Sequence, residues 1–372
     1  MAVDPSNQRV ARLTPLSDVL TLIESRVGPV IPHKFALPDG TGGILAEDIL
    51  AAKRPAHAIA LRDGFALGAA KVADATPYSP VQLASVPQRV DTGDALPDGT
   101  DAVAPLDSIV FRGHTAEAIA PVSPGEGVLW AGGDTSHRVP LRRAGERLRE
   151  LDIPALAALG ISKVTIRSPR IVIDCGSARR TPMVDAALDI LVRAVAGAGG
   201  RVKAAPPHLK LFDQPLNDAD AVIAVGGTGT GRNDAAVQAL ARHGRVEMHG
   251  IAVSPGETTA FGFVGQLPVL LVPARIDAAL AIWLLIGRHL VARRAGGVVD
   301  DFSAMLPLKR KVSSAIGTTE LVPVACSAGT AEPLALGYLS LTALARSDGW
   351  IVVPPESEGF AAGTPVAVRQ WP

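Results

Sequence analysis

The spacing of hydrophobic positions changes several times along the chain. Near the start, "LSDVLTLIESRV" carries apolar residues at helical spacing, followed by a short strand and the segment "GILAEDILAA". From residue 51 to about Pro140 the pattern becomes short alternating runs broken by Pro and Gly. "SPVQLASVPQRV", "DAVAPLDSIVF" and "AEAIAPV" are examples, and they predict a compact β-rich region. "LRRAGERLRELDIPALAALGI" then returns to helical periodicity, with Leu151, Ile153, Leu156 and Leu159 as its apolar stripe.

Beyond Arg170 the pattern alternates between the two periods. "RIVIDCGS", "RVKAA", "DAVIAVGG" and "LPVLLVPA" read as buried strands. "PMVDAALDILVRAVAGAGG" reads as a helix burying Val184, Ala187, Leu188, Leu191 and Val195, with glycines stopping it. "RNDAAVQALARHG" and "IDAALAIWLLIGRHLVARR" are further helices. Such alternation predicts a parallel sheet with helices on both faces, and ligands bind such sheets beyond the carboxyl ends of the strands. After Leu306 short strands return ("PLKRKVSSAI", "ELVPVAC", "GWIVVPP", "TPVAVRQW") with one helical stretch, "SLTALARS", predicting a separate small β domain. The expected division is four-part. Residues 1–50 and 141–168 form a helical, mixed domain I and 51–140 a β-rich domain II; 169–300 form an α/β domain III and 301–372 a C-terminal β domain IV.

Composition narrows the function. At 372 residues the chain is too long for one ordinary core. Apolar residues make up 48% and charged residues 19%, which predicts packed domains and not a disordered chain. The formal net charge is zero, so the basic excess of a non-specific nucleic-acid binder is missing. Cys175 and Cys326 lie too far apart in sequence for a metal knuckle and are too few for a disulfide framework. The opening "MAVDPSNQRVARLTPL" lacks the apolar core of a secretory signal, so a cytoplasmic location is expected. Ala278 to Gly287 is the most lipid-like stretch, yet it is about half of a bilayer span, so a buried helix and no membrane partner are expected.

Three stretches carry candidate chemistry. "ADAVIAVGGTGTGRND", Ala219 to Asp234, is a glycine loop between a strand and a helix expected to begin near Asn233, a setting that favours an anion. Counted from Gly227, a dinucleotide fingerprint would need glycine where Arg232 stands, and Gly231-Arg232-Asn233 does not end as a phosphate loop does. On the loop alone, Asp234 reads as a first-turn acid complementing the helix dipole. "LRDGFALGA", Leu61 to Ala69, contains a common Arg-Asp-Gly turn. "VDTGDALPDGTDAVAPLD", Val90 to Asp107, is either a solvated loop or an oxyanion and cation site. Cys175, just after a strand, reads as a core thiol.

Taken in order, these pieces resemble the molybdopterin molybdenumtransferase family, the MoeA proteins and the related domain of gephyrin. "RDGFAL" is similar to the family's Met-Asp-Gly-Tyr-Ala motif, and "DTGDALPDGTDAV" to its Thr-Gly-x-x-Leu-Pro-x-Gly-x-Asp-Ala-Val stretch. "DADAVIAVGGTGTGRND" resembles the Ala-Asp-x-Val-Ile-x-x-Gly-Gly-Val-Ser-x-Gly segment. "VSPGETTAFGFV" stands where the family has Lys-Pro-Gly-Lys-Pro, and "LSLTALARSDGWIVVPPESEGFAAGTPVAV" is like its C-terminal domain. The similarity runs from about Leu16 to Val368.

The resemblance implies a multidomain fold of α/β and β parts, an elongated MoeA-like molecule with a parallel-sheet molybdopterin-binding domain and a C-terminal β domain. It implies a homodimer whose cleft joins the third domain of one subunit to the second of its partner. The implied activity is insertion of molybdenum from molybdate into adenylylated molybdopterin with Mg2+, and a molybdoenzyme client is an implied partner. Asp63, Asp134 and Asp234 would be catalytic, with Asp63 and Asp234 holding the metal. Thr92, Gly93, Gly226, Gly227, Thr228, Gly229, Thr230, Gly231, Pro255 and Gly256 would line the pterin site. Several family positions differ. The Ser-Thr-Gly-Asp-Glu turn is Asp174-Cys175-Gly176-Ser177-Ala178, Ser254 and Glu257 replace two lysines, and Pro273-Ala274-Arg275-Ile276 replaces Pro-Gly-Asn-Pro. Gly132-Gly133-Asp134 replaces Gly-Glu-Asp. Arg179, Arg180, Arg232 and Arg275 are candidates to restore positive charge. A non-catalytic carrier or scaffold with a degenerate site is the alternative reading.

Overall fold

The computed structural model describes residues 10, 12–136, 139–175, 180–204, 212, 216–230, 234–299 and 301–371. The chain forms two compact units, Asp48–Arg143 and the rest.

In the larger unit a six-stranded sheet runs in the order Arg201–Ala204, Arg170–Asp174, Ala221–Val225, Leu267–Val272, Ala260–Val264, Arg245–His249. Alternation along each strand sorts its residues to two faces. Ile171, Ile173, Ile223, Val225, Leu270 and Val272 pack on one side with the helices Leu16–Arg26 and Pro182–Gly197. Val172, Val222, Ala224, Val269 and Leu271 pack on the other against Ala236, Val237 and Leu240 of the helix Ala236–His243. Val184, Ala187, Leu191 and Val195 are buried as the periodicity predicts, and Leu188 packs at the margin of the same core.

The first four strands are parallel, whereas Ala260–Val264 runs antiparallel to both of its neighbours, Leu267–Val272 and Arg245–His249. The parallel sheet expected from the alternation is present, with an antiparallel edge added to it. That edge comes from the two-residue connection between Val264 and Leu267, with Gly265 at φ 59°. A parallel pair needs a crossover of a dozen or more residues, so so short a link forces a hairpin.

The last long helix runs through three pieces, Ile276–Ile282, a π-helical turn Trp283–Gly287, and Arg288–Ala295, and ends at Gly296 in the left-handed region. Arg293 Nε donates to the Val27 carbonyl at 2.8 Å and Arg294 Nε to the Asp220 carbonyl at 2.7 Å, tying this helix to its neighbours. Residues 278–287 are buried throughout. Among the described residues, no helix is long and apolar enough to cross a membrane.

The C-terminal strands Thr319–Ser327, Gly349–Val353, Pro365–Gln370 and Ser303–Pro307 form a second sheet. Its first strand is Val253–Ser254, which pairs in parallel with Thr319 and Glu320. Leu308, Val312, Val322, Val324, Ile351 and Val366 give this β part a core of its own, while Leu321, Leu339 and Trp350 join the core beneath the central sheet.

The helical periodicity expected from residue 141 onward is realised only over Asp152–Ala158. Upstream, Glu146 and Leu148 exchange backbone hydrogen bonds with the 42–45 segment. Asp152 is buried, with its carboxylate accepting from the Arg149 backbone and guanidinium, while Leu151 is 73% exposed. The local carboxylate contact competes with an earlier helix start.

The smaller unit is β-rich as expected. Gly64–Leu67 lies between Gln88–Val90 and Ala102–Ala104, and Thr115–Ala118 between Val81–Gln82 and Ile109–Arg112. A Cβ on Gly64 would sit 2.2 Å from the Ala104 carbonyl oxygen, so only glycine permits this strand approach.

Trp350 is 1% exposed, and the guanidinium groups of Arg288 and Arg369 lie 5.4 and 5.2 Å from its ring centre. Trp350→Ala is expected to destabilise the larger unit by about 3–5 kcal/mol, measured by denaturant unfolding of the full chain. Trp350→Phe should cost less.

Candidate functional site

The strand Ala221–Val225 ends in two residues, Gly226 and Gly227, with φ of 92° and 74°. Side chains disfavour that region, so the sharp exit from the sheet requires glycine. Gly226 N donates to the Val272 carbonyl at 2.6 Å, and Ala236 N donates to the Gly227 carbonyl at 3.0 Å. The second bond delays the helix, which begins at Ala236 and not near Asn233. Asp234 therefore lies ahead of the cap residue Ala235 instead of in the first turn. Its Oδ2 is 2.8 Å from where a Cβ on Gly229 would be, so the carboxylate overhangs the loop.

Thr228 is 2% exposed and is held from two directions. Its hydroxyl is 3.0 Å from that of Thr258, and its carbonyl accepts from His249 Nε2 at 3.0 Å. The Thr258 contact joins the glycine loop to the turn Pro255–Gly256, which is closed by Thr259 N and Oγ1 donating to the Gly256 carbonyl at 3.0 and 2.7 Å. The structure thus brings together Gly226, Gly227, Thr228, Gly229, Thr230, Asp234, Pro255 and Gly256. Gly231 and Arg232 lie outside the described residues.

The other predicted residues belong to the smaller unit. Asp63 Oδ1 accepts from Thr92 N at 2.8 Å and from Thr92 Oγ1 at 3.0 Å. These bonds, the backbone one foremost, hold the Asp63 carboxyl below its ordinary value. Gly93, at φ 96°, donates its N–H to the Ala60 carbonyl at 2.8 Å. The Thr-Gly turn is therefore clasped by the Asp-Gly motif, and the Thr92 hydroxyl hydrogen points at Asp63. Asp134 is exposed, with its backbone N–H bonded to the Arg54 carbonyl at 3.0 Å. Asp63 and Asp234 stand in different units. Among the described residues no three His, Cys, Asp or Glu side chains gather into a metal cluster.

Three family models match the chain. They are the MoeA N-terminal region (domain I and II) over residues 14–160, the model described as "Probable molybdopterin binding domain" over 180–293, and the MoeA C-terminal region (domain IV) over 305–371. Together they span most of the chain in the family's order. The chain belongs to the MoeA family. A Methanocaldococcus jannaschii protein named for molybdopterin biosynthesis is 26% identical over 87% of this chain and 88% of its own length. The molybdopterin molybdenumtransferase 1 of Mycobacterium tuberculosis is 28% identical over 56% of this chain and 53% of that protein. The crystal structure of the Pyrococcus horikoshii MoeA protein superposes with a TM-score of 0.78 at 22% identity, covering 97% of this chain and 100% of that one.

The departures from the MoeA pattern now have structural settings. Arg275 is engaged: its Nε donates to Asp277 Oδ1 at 3.0 Å, and Asp277 is only 3% exposed. The Asp277 hydrogen bond first, and the charges of Asp277 and Glu257 after it, raise the Arg275 pKa. Glu257, in place of a lysine, turns its Oε2 to the Gly256 N–H at 3.2 Å. Arg180 pairs with Asp185, with Nε to Oδ1 at 2.8 Å. Two of the four arginines are thus bound to carboxylates, and Arg179 and Arg232 lie outside the described residues. Burial first, then the charge of Asp174, raises the Cys175 thiol pKa.

Sequence reasoning missed Thr258 and His249. Their partners are thirty and twenty-one residues away, and nothing local marks them. Thr228→Val is expected to cost about 1 kcal/mol and to speed amide exchange over residues 226–230. A second measurement concerns Asp63. Its folded pKa lies below the ordinary 3.8, so its stabilising contribution is present above that value and is lost as pH falls through the folded pKa. Carboxyl NMR titration should show Thr92→Val returning the Asp63 midpoint toward 3.8.

Proposed function

We propose that this chain acts in molybdenum cofactor biosynthesis as a molybdopterin molybdenumtransferase, inserting molybdenum from molybdate into adenylylated molybdopterin. The observation that carries the reading is the glycine loop at the carboxyl end of the Ala221–Val225 strand. It is anchored to the Pro255–Gly256 turn through Thr228 and Thr258, and Asp234 leans over it. Backbone turns of this kind at a strand's end take anionic groups, here the phosphate of the pterin.

Magnesium fits this reading in one form. Mg2+ is commonly held by one or two carboxylates with phosphate and water completing its shell, so the absence of a three-ligand cluster among the described residues does not oppose it. Asp234 and Asp63 are the carboxylates proposed to hold the ion. When bound, the ion would polarise the phosphoanhydride. The protein's own part is to place the phosphate on the loop, orient the pterin against the Pro255 turn, and keep Asp63 ionised through Thr92. Asp134 is proposed as a further polar contact, and the active form as a homodimer that passes product to a molybdoenzyme client.

A specific observation favours a second reading, that of a carrier. The cations near the Pro255 turn are reduced: Glu257 stands where the family has lysine, and Arg275 is engaged by Asp277. Like charge beside an oxyanion opposes its binding.

The test is molybdenum insertion by the purified chain supplied with adenylylated molybdopterin, molybdate and magnesium. Turnover is expected, and Asp234→Ala is expected to reduce it by at least about 10²-fold. Bound pterin without turnover would establish the carrier instead, and absence of both would leave only a scaffold.

A further inference from the structure

Tyr338 lies in a stretch that sequence reasoning passed over. It is 60% exposed, and the Arg275 guanidinium lies 5.0 Å from its ring centre. The loop that presents it is fixed on both sides by buried carboxylates. Gly337 N donates to Glu320 Oε1 at 2.8 Å, and Leu339 N to Asp277 Oδ2 at 3.2 Å. Glu320 is 6% exposed and Asp277 3%, while Leu339 is anchored in the core. Burying two carboxylates is costly unless they are well paired, and here both are used to hold the backbone around one exposed ring. A ring held this way loses little freedom when something stacks on it.

The loop adjoins the site already described. Glu320 is the register partner of Ser254, the residue before Pro255. Arg275 follows closely on Val272, whose carbonyl receives the Gly226 N–H. Arg275 is bonded to Asp277, and the adjoining Pro255 turn carries the Glu257 carboxylate at its Gly256 N–H, so two carboxylates stand with one cation in this neighbourhood. That balance disfavours a second anion and suits a neutral group rich in N–H donors. A pterin carries such a group. Its aminopyrimidinone ring is flat and uncharged, and one edge presents two adjacent N–H donors, matched to the two acceptor oxygens of a carboxylate.

We propose that Tyr338 and Glu257 receive the pterin ring, the tyrosine as its stacking face and the carboxylate as the acceptor for its paired N–H donors. This rests on the reading that the glycine loop holds the pterin's phosphate. Glu257 is then a gained recognition group and not merely a lost lysine, and the C-terminal part of the chain contributes a side chain to the site.

The experiment is a fluorescence titration of the full-length protein with molybdopterin and with neopterin, a pterin lacking both phosphate and dithiolene. Wild type is compared with Tyr338→Ala, Tyr338→Phe and Glu257→Gln, each checked for native circular dichroism. Tyr338→Ala should weaken molybdopterin about tenfold or more, with Tyr338→Phe restoring wild-type affinity. Glu257→Gln should weaken neopterin and should not weaken lumazine, which has oxygen in place of the amino group. Wild-type binding of molybdopterin that neither Tyr338→Ala nor Glu257→Gln alters would overturn the assignment and leave the proposed function standing. Tighter molybdopterin binding by Glu257→Gln would overturn it too, by placing the phosphate at the carboxylate. Failure of wild type to bind molybdopterin at all would defeat the functional reading itself.

Discussion

The strand Ala221–Val225 is the constraint around which the larger unit is arranged. All five residues are at most 1% exposed, with apolar helices on each face and parallel strands on each edge. Its peptide groups are satisfied within the sheet, and no side of it is open to a ligand. The chain can become accessible only where the strand ends, at Gly226. The left-handed pair Gly226-Gly227 turns the backbone sharply, and hydrogen bonds to Val272, Ala236, His249 and Thr258 then hold it. The loop is therefore a consequence of how completely the strand is buried.

Much of this was legible in the sequence, because burial on two faces leaves continuous apolar runs and burial on one face leaves a helical stripe. The buried face of Pro182–Gly197 is an instance. What was not legible depended on contacts between distant segments. The antiparallel edge of the sheet follows from a two-residue link at Gly265, whose importance shows only once the neighbouring runs are known to pair. The stripe at Leu151 was misread because Asp152 is the buried residue there and Leu151 faces outward. In the candidate site, the glycine loop and the Pro255 turn were named from motifs, but the hydroxyl pair Thr228–Thr258 that joins them was not. The chemistry of Asp63 was half legible: its motif stood out, while its engagement with Thr92 needed three dimensions.

Charge shows the same division between local pattern and spatial result. Arg275 looked able to replace a missing lysine, yet a buried carboxylate two residues on claims its guanidinium. A carboxyl buried as deeply as Asp277 requires a partner, and the nearest cation in sequence supplies it. The sign of a site is thus set by which charges remain after buried ones are neutralised. Counting basic residues along the chain does not reveal it.

The π-helical turn Trp283–Gly287 has an implication for how this helix tolerates a change of length. Such a turn accommodates one residue more than an α-helix would, within an otherwise continuous rod. The turn takes up that extra residue locally, so Arg293 and Arg294 beyond it keep their reach to the carbonyls of Val27 and Asp220. An extra residue in regular α-helix would instead rotate the distal half by about 100° and carry both arginines away from their acceptors. The bulge therefore works as slack within the rod, holding one surplus residue while the packing on either side keeps its phase.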